Sequence, residues 1–232
     1  MSFTQSINIK IYGDSIMRGV LYDAATNKYS ERIGTDFKRL IERGVAISCD
    51  ARMGATSTKG LALMQRDIAN SPDAHYDLTL IEYGANDADY DWDAVSAAPN
   101  KAHETRTSEE TFISNMKQMI SMARPRTDIV ALATLPPFET EKFFWWLSRR
   151  LNSDNIISWL GEKENVQKTF LRYNELVKQI AKEESCELFD MRSVLLSNGD
   201  MTCDDGAHPS QAGYDLLDKS IVNFAKTLIS HS

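Results

Sequence analysis

The 232-residue sequence predicts an α/β protein, a three-layer α/β/α sandwich around a central five-stranded parallel sheet. Three observations lead there. Five short apolar runs are spread along the chain, amphipathic helical patterns separate them, and glycine-bearing polar motifs follow directly on the first three runs. Alternation of this kind requires a parallel sheet covered on both faces, and right-handed crossovers distribute the helices to its two sides.

The runs are Ile7 to Tyr12, Val45 to Cys49, Leu78 to Tyr83, Ile129 to Thr134 and Cys186 to Phe189, each read as a buried strand. Between them, Tyr29 to Arg43 places Ile33, Phe37, Leu40 and Ile41 on one helical face. Thr107-Ser108-Glu109-Glu110 reads as a capping box opening a helix to about Ala123. Glu164 to Glu184 carries Phe170, Leu171, Leu176, Val177 and Ile180 at helical spacing. Pro209 suits the first turn of a last helix ending near Ile229.

Two segments exceed what the sandwich needs. Asp87 to Thr107 is polar and contains Tyr90 and Trp92. Phe138 to Asn165 contains Phe143, Phe144, Trp145, Trp146 and Trp159, and is expected to include short helices. Both follow strand ends, where such sheets build their sites, so both are expected to overhang that face. With no internal repeat and no linker rich in Gly, Pro or Ser, a single domain over 1–232 is expected.

A net charge of −7 argues against a general nucleic-acid surface. No apolar run approaches the roughly 20 residues of a membrane span, and Met1 to Lys10 lacks a basic region followed by a long apolar stretch. The three cysteines, Cys49, Cys186 and Cys203, are odd in number and widely spaced, neither a disulfide framework nor a zinc pattern. Reduced thiols in a cytoplasm are the simplest reading. The acidic run Asp87 to Asp93 fails as a calcium loop: the sixth and twelfth positions hold Trp92 and Ala98, where such a loop wants Gly and Glu. No metal or cofactor is expected.

The chemistry-bearing residues lie in four motifs. Ile11-Tyr12-Gly13-Asp14-Ser15 ends the first run with a serine at a strand-to-helix turn. Asp205-Gly206-Ala207-His208 lies near the other end. A serine needs a base to take its proton, and a histidine serves best when a carboxylate orients its ring. Ser15, His208 and Asp205 supply those parts. Arg52-Met53-Gly54-Ala55-Thr56-Ser57 and Gly84-Ala85-Asn86-Asp87 follow the second and third runs. Gly54 permits close backbone approach, and the Asn86 amide is a donor.

With these four motifs in this order, the chain resembles the SGNH (GDSL-type) hydrolase family over Ile9 to about Tyr214. The resemblance implies a flavodoxin-like fold and a cofactor-independent serine esterase. It further implies Ser15, Asp205 and His208 as catalytic triad, with Ser15 N–H, Gly54 N–H and Asn86 as oxyanion hole. Asp14 is read as bracing the turn, Asp87 as bracing its loop, and Asp205 is preferred over Asp204 by the family spacing. His75, His103 and His231 lack motif context. Tyr90 and Trp92 are candidates to stack on a sugar, and Trp145 and Trp146 to wall an acyl group. Three departures stand out: Met17 where a small hydroxyl residue is common, Arg18 facing either an anionic substrate or nearby Asp residues, and Arg52 where an Asn often stands. The expected partner is a small ester, acetyl-type esters being favoured. Acyl transfer, a lipase or thioesterase, and a non-catalytic binding module are the alternatives. A nucleotide binder is disfavoured, because Asp14 would repel phosphate and no glycine-rich phosphate loop appears.

Overall fold

The computed structural model describes residues 7–32 and 44–230. Five parallel strands form the central sheet: β1 (Ile7–Gly13), β4 (Val45–Ala51), β5 (Tyr76–Ile81), β6 (Thr127–Ala133) and β7 (Glu187–Phe189), in the order β4-β1-β5-β6-β7. All five expected strands are present, with ends shifted by at most two residues.

Side chains alternate across this sheet. Ile7, Ile9, Ile11, Leu78, Leu80, Ala131 and Ala133 join one buried cluster, and Tyr12, Ile81, Val130 and Leu132 join the other. That period of two makes both faces apolar, so each must be covered. Helices α1 (Ser57–Asn70), α3 (Glu109–Ala123) and α6 (Asn165–Glu183) cover one face; α7 (Met191–Leu196) and α8 (Gln211–Ile229) cover the other. In α8 the buried positions Tyr214, Leu217, Ile221, Val222 and Ala225 form a single stripe at helical spacing. The result is the three-layer sandwich.

Some local expectations change. Ser108, not Thr107, caps α3, accepting from Thr111 N–H. Ser210 caps α8, so Pro209 lies before the helix rather than in its first turn. The segment Tyr29–Glu31 differs more from the helix expected there. Lys28–Glu31 is strand β3, paired antiparallel with β2 (Val20–Asp23) in a hairpin. Tyr22 and Tyr29 face each other across it, a stabilising aromatic pair that outweighs the helical spacing around Tyr29. The remainder of the helix expected there, with Ile33, Phe37, Leu40 and Ile41, lies outside the described residues, as does His231.

The two long segments hold α2 (Trp92–Ala97), α4 (Thr140–Ser148) and α5 (Ser153–Leu160). Among the described residues no helix is long and apolar enough to cross a membrane.

Candidate active site

β1 ends at Gly13, and the chain turns at once. Arg18 N–H reaches Asp14 O at 3.1 Å, and Val20 N–H reaches Ser15 O at 3.0 Å. Ser15 thus sits on a single turn that passes into strand β2, not on the strand-to-helix turn expected. The β-prone run Val20-Leu21-Tyr22 begins too soon for a helix to form. Asp14 braces the turn: its Oδ1 accepts Ile16 N–H at 2.8 Å.

Asp205 and His208 share the loop between α7 and α8. The loop is pinned by Cys203 N–H on His208 O (2.7 Å) and Ser210 N–H on Met201 O (2.6 Å). Gly206 has φ +72°, and a Cβ there would lie 2.6 Å from Phe143 N, so the start of α4 presses against the loop. Glu139 N–H donates to Gly206 O at 2.8 Å. Only glycine meets both demands at this position.

Asp205 is 2 % exposed. Its Oδ1 accepts Ala207 N–H and His208 N–H, each at 3.1 Å, and its Oδ2 lies 2.6 Å from His208 Nδ1. Burial would raise its pKa, but hydrogen bonds from the imidazole and the backbone outweigh it and hold the carboxyl below its ordinary range. His208 Nε2 lies 2.9 Å from Ser15 Oγ. Ser15 and His208, 193 residues apart in sequence, are therefore joined in one hydrogen-bonded chain with Asp205. Asp204 is exposed and takes no part in it.

Gly54, with φ +68°, is the third residue of a turn closed by Ala55 N–H on Arg52 O at 3.1 Å. Asn86 Nδ2 donates to Asp14 Oδ2 at 2.8 Å, which leaves its second N–H available. Among the described residues, neither Ser15 N–H nor Gly54 N–H has an acceptor. Asp87 braces its loop as expected: fully buried, it accepts Ser57 N–H at 2.9 Å and Ser57 Oγ–H at 2.6 Å.

Ser15, Gly54, Asn86 and His208 open on one cavity of about 270 Å³. Trp92, Phe138, Phe143, Trp146, Val166 and Phe170 form its apolar wall. Trp92 and Trp146 therefore line the site as expected, and both long segments contribute to it. Tyr90 and Trp145 do not. Tyr90 turns its hydroxyl to Thr169 and packs edge-on against Trp159, while Trp145 is 45 % exposed beneath the Arg149 guanidinium. Sequence reasoning missed Tyr29, whose ring lies edge-on to His208 at 5.4 Å. Burial and the Asp205 charge push the Tyr29 phenol pKa upward.

Among the described residues no cluster of His, Cys, Asp or Glu could hold a metal. The acidic run is committed elsewhere: Asp89 accepts Trp92 Nε1–H at 2.6 Å and pairs with Arg106 at 3.2 Å, while Asp91 caps α2. His75 pairs with Asp128 at the surface, and His103 bonds to Ala98 O.

The model of the GDSL-like lipase/acylhydrolase family matches residues 11–216. The chain belongs to this family. It is thus a hydrolase of the class acting on carboxylic esters. No curated protein matches it. Solved structures share its fold at low identity. A lipase/acylhydrolase from Enterococcus faecalis is 19 % identical, with 95 % of this chain and 96 % of that one covered and a TM-score of 0.63. A GDSL-like lipase from Bacteroides thetaiotaomicron is 20 % identical, with 95 % and 88 % covered and a TM-score of 0.61. An acetylxylan esterase from Geobacillus stearothermophilus is 17 % identical, with 97 % and 96 % covered and a TM-score of 0.64.

Within this GDSL-like chain the three departures acquire physical explanations. Met17 does not reach the cavity; it packs against Gly13, where a Cβ would lie 2.7 Å from it. Arg18 is neutralised, but by Glu31 rather than an Asp: Nε and Nη2 bind the two carboxylate oxygens at 2.6 and 2.9 Å. Arg52 supports the Gly54 turn through its backbone, donating to Gly13 O at 3.1 Å.

Proposed function

We propose that this acylhydrolase cleaves small, short-chain esters of the acetyl type through an acyl-enzyme on Ser15. The hydrogen-bonded chain Asp205–His208–Ser15, opening on the cavity beside Gly54 and Asn86, carries the reading. Ser15 Oγ attacks the ester carbonyl carbon while His208 Nε2 takes its proton. The carbonyl oxygen becomes an oxyanion, met by Ser15 N–H, Gly54 N–H and the free Asn86 N–H. Collapse expels the alcohol, which receives the proton from His208. Water then repeats the sequence on the acyl-enzyme, releasing the acid. Asp205 holds the imidazole in the tautomer that leaves Nε2 a base, and stabilises its cation. Each preset oxyanion donor contributes roughly 10²- to 10³-fold in rate.

Cavity size supports a small acyl group: about 270 Å³ falls just below the roughly 300–1,000 Å³ of ordinary ligand sites. The acetylxylan esterase offers an analogy. Its catalytic mutants change a serine, an aspartate and a histidine, the last two three residues apart, the same spacing as Asp205 and His208. The aromatic wall favours a second reading, a somewhat longer acyl chain. Hydrolysis of p-nitrophenyl esters from acetate to dodecanoate, with Ser15→Ala alongside, separates the two. Short-chain activity lost in the variant is expected. Rates rising with chain length would favour the second reading, and activity retained in Ser15→Ala would refute the mechanism.

A further inference from the structure

Asp14 has a second buried neighbour that the reaction above does not use. Glu82 follows β5 directly and, like Asp14, is fully enclosed. Its Oε2 accepts Asp14 N–H at 3.2 Å, so the two carboxyls lie in one buried enclosure. Glu82 Oε1 is buried with no donor directed at it. An ionised carboxylate with an oxygen left bare in a dry enclosure is costly, and two such anions side by side are more so. One proton held on the pair removes the repulsion and makes one carboxyl a donor. The donor set says where it resides. Asp14 accepts from Ile16 N–H and Asn86 Nδ2–H, as an anion should. Glu82 has the undonated oxygen, as a carboxylic acid should.

The consequence passes to Asn86. Its amide is held by Asp14 Oδ2, so the angle of its free N–H depends on where Asp14 sits. We infer that Glu82 is a positioning residue: as a carboxylic acid it donates to Asp14, and Asp14 so fixed aims the Asn86 amide at the reacting carbonyl oxygen. This rests on the reading of Asn86 as an oxyanion donor.

Burial pushes both carboxyls above their ordinary range, Asp14 to about 6 and Glu82 well above it. They titrate as a pair. The groups facing them are His208, Asp87, Tyr83 and Cys49, with Tyr214 from α8. When alkaline pH removes the shared proton, Asp14 loses its donor and a second negative charge appears behind the oxyanion. The rate then falls through the oxyanion side of the site, by way of Asp14 and Asn86.

The test is kcat and KM on p-nitrophenyl acetate across acid to alkaline pH for wild type, Glu82→Gln, Glu82→Leu, Asn86→Ala and the Asn86→Ala/Glu82→Leu pair, each checked for folding by circular dichroism. Gln keeps a neutral donor to Asp14 and cannot ionise. Glu82→Gln is expected to retain most of the kcat that Glu82→Leu loses, and to lose the alkaline decline. Glu82→Leu is expected to lower kcat toward the roughly 10²-fold loss of an oxyanion donor with KM little changed, and to add nothing once Asn86 is removed. A Glu82→Leu enzyme with wild-type kcat would overturn the inference. So would an alkaline decline preserved in Glu82→Gln, which decides the matter alone should Glu82→Leu not fold. Asn86→Ala at full kcat would instead overturn the oxyanion reading beneath it.

Discussion

Asp205 has two jobs on two different oxygens, and two substitutions separate them. Oδ2 binds the imidazole at 2.6 Å, while Oδ1 accepts two backbone N–H groups at 3.1 Å. Asp205→Asn keeps an oxygen for the backbone pair and turns an NH₂ toward Nδ1. Nδ1 must then accept, the ring proton moves to Nε2, and Nε2 can no longer take the Ser15 proton. In serine proteases the same exchange costs roughly 10⁴-fold in kcat, about 5.5 kcal/mol of activation free energy. The stability of the variant should stay within about 1 kcal/mol of wild type, since no buried donor is orphaned. Asp205→Ala removes both acceptors. Each stranded N–H costs about 1–3 kcal/mol, and because Ala207 and His208 are only half-buried the lower end applies, about 2–3 kcal/mol together. At 2–4 °C per kcal/mol for a domain of this size, Tm should fall by roughly 5–10 °C. The assay is kcat on p-nitrophenyl acetate with a thermal melt of each variant. If Asp205→Asn keeps a tenth or more of wild-type kcat, the tautomer argument is refuted. If Asp205→Ala melts with wild type, the structural half is refuted.

Gly206→Ala should lower Tm by roughly 6–12 °C, because a φ of +72° and a Cβ 2.6 Å from Phe143 N together cost about 3 kcal/mol; a wild-type melt would count against the tight seat of the loop on α4. Phe143→Ala should destabilise by about 3–4 kcal/mol and shift chain-length preference upward, since it removes a buried ring from the cavity wall; an unchanged ester profile would exclude Phe143 from the acyl side. Stability should also respond to pH through the buried carboxyls. The Asp14 and Glu82 pKa values are raised in the folded state, so their contribution is complete below the ordinary carboxylate pKa of about 4 and is lost as pH rises through about 6 and beyond. Asp205 is lowered, so its contribution is present above about pH 4 and is lost as pH falls through its folded value. Melts of Glu82→Gln against wild type should therefore diverge in favour of the variant toward alkaline pH and converge near pH 4, roughly; a constant difference would contradict the shared proton.

The sheet was legible in the sequence because each strand is buried on both faces, so its apolar run marks it without reference to anything distant. That the candidate residues would meet was legible because each follows a strand or lies within one loop, where spacing alone carries the geometry. What escaped depends on pairing across the chain. The β2–β3 hairpin carried a signal that could have been read: Asp23 accepts Ala25 N–H and Thr26 Oγ–H within a short polar turn, and Asn27 takes φ +53°, a conformation Asn tolerates well. Glu82 carried none, since a carboxyl ending an apolar strand reads as surface until Asp14 arrives from 68 residues away. The aromatic residues divided evenly, Trp92 and Trp146 inside and Tyr90 and Trp145 outside, because composition does not say which side of a short helix faces the cavity.

The two halves of the site are held by different means. The proposed oxyanion donors follow β4, β1 and β5, three neighbouring strands of one sheet, and their separations are set by its register. Asp205 and His208 instead move together: Asp205 grips the imidazole and, through Oδ1, the His208 backbone, so the pair holds its own geometry wherever the loop goes. The loop's position is set from outside the sheet by the start of α4 and by Tyr29 of the hairpin. A disturbance of the 138–165 segment therefore leaves the Asp205–His208 bond intact and falls on the single 2.9 Å contact between His208 and Ser15. Because displacement of about 1 Å can cost on the order of 10² in rate, substitutions that shift the start of α4 are expected to lower kcat while the Asp205–His208 bond stays in place.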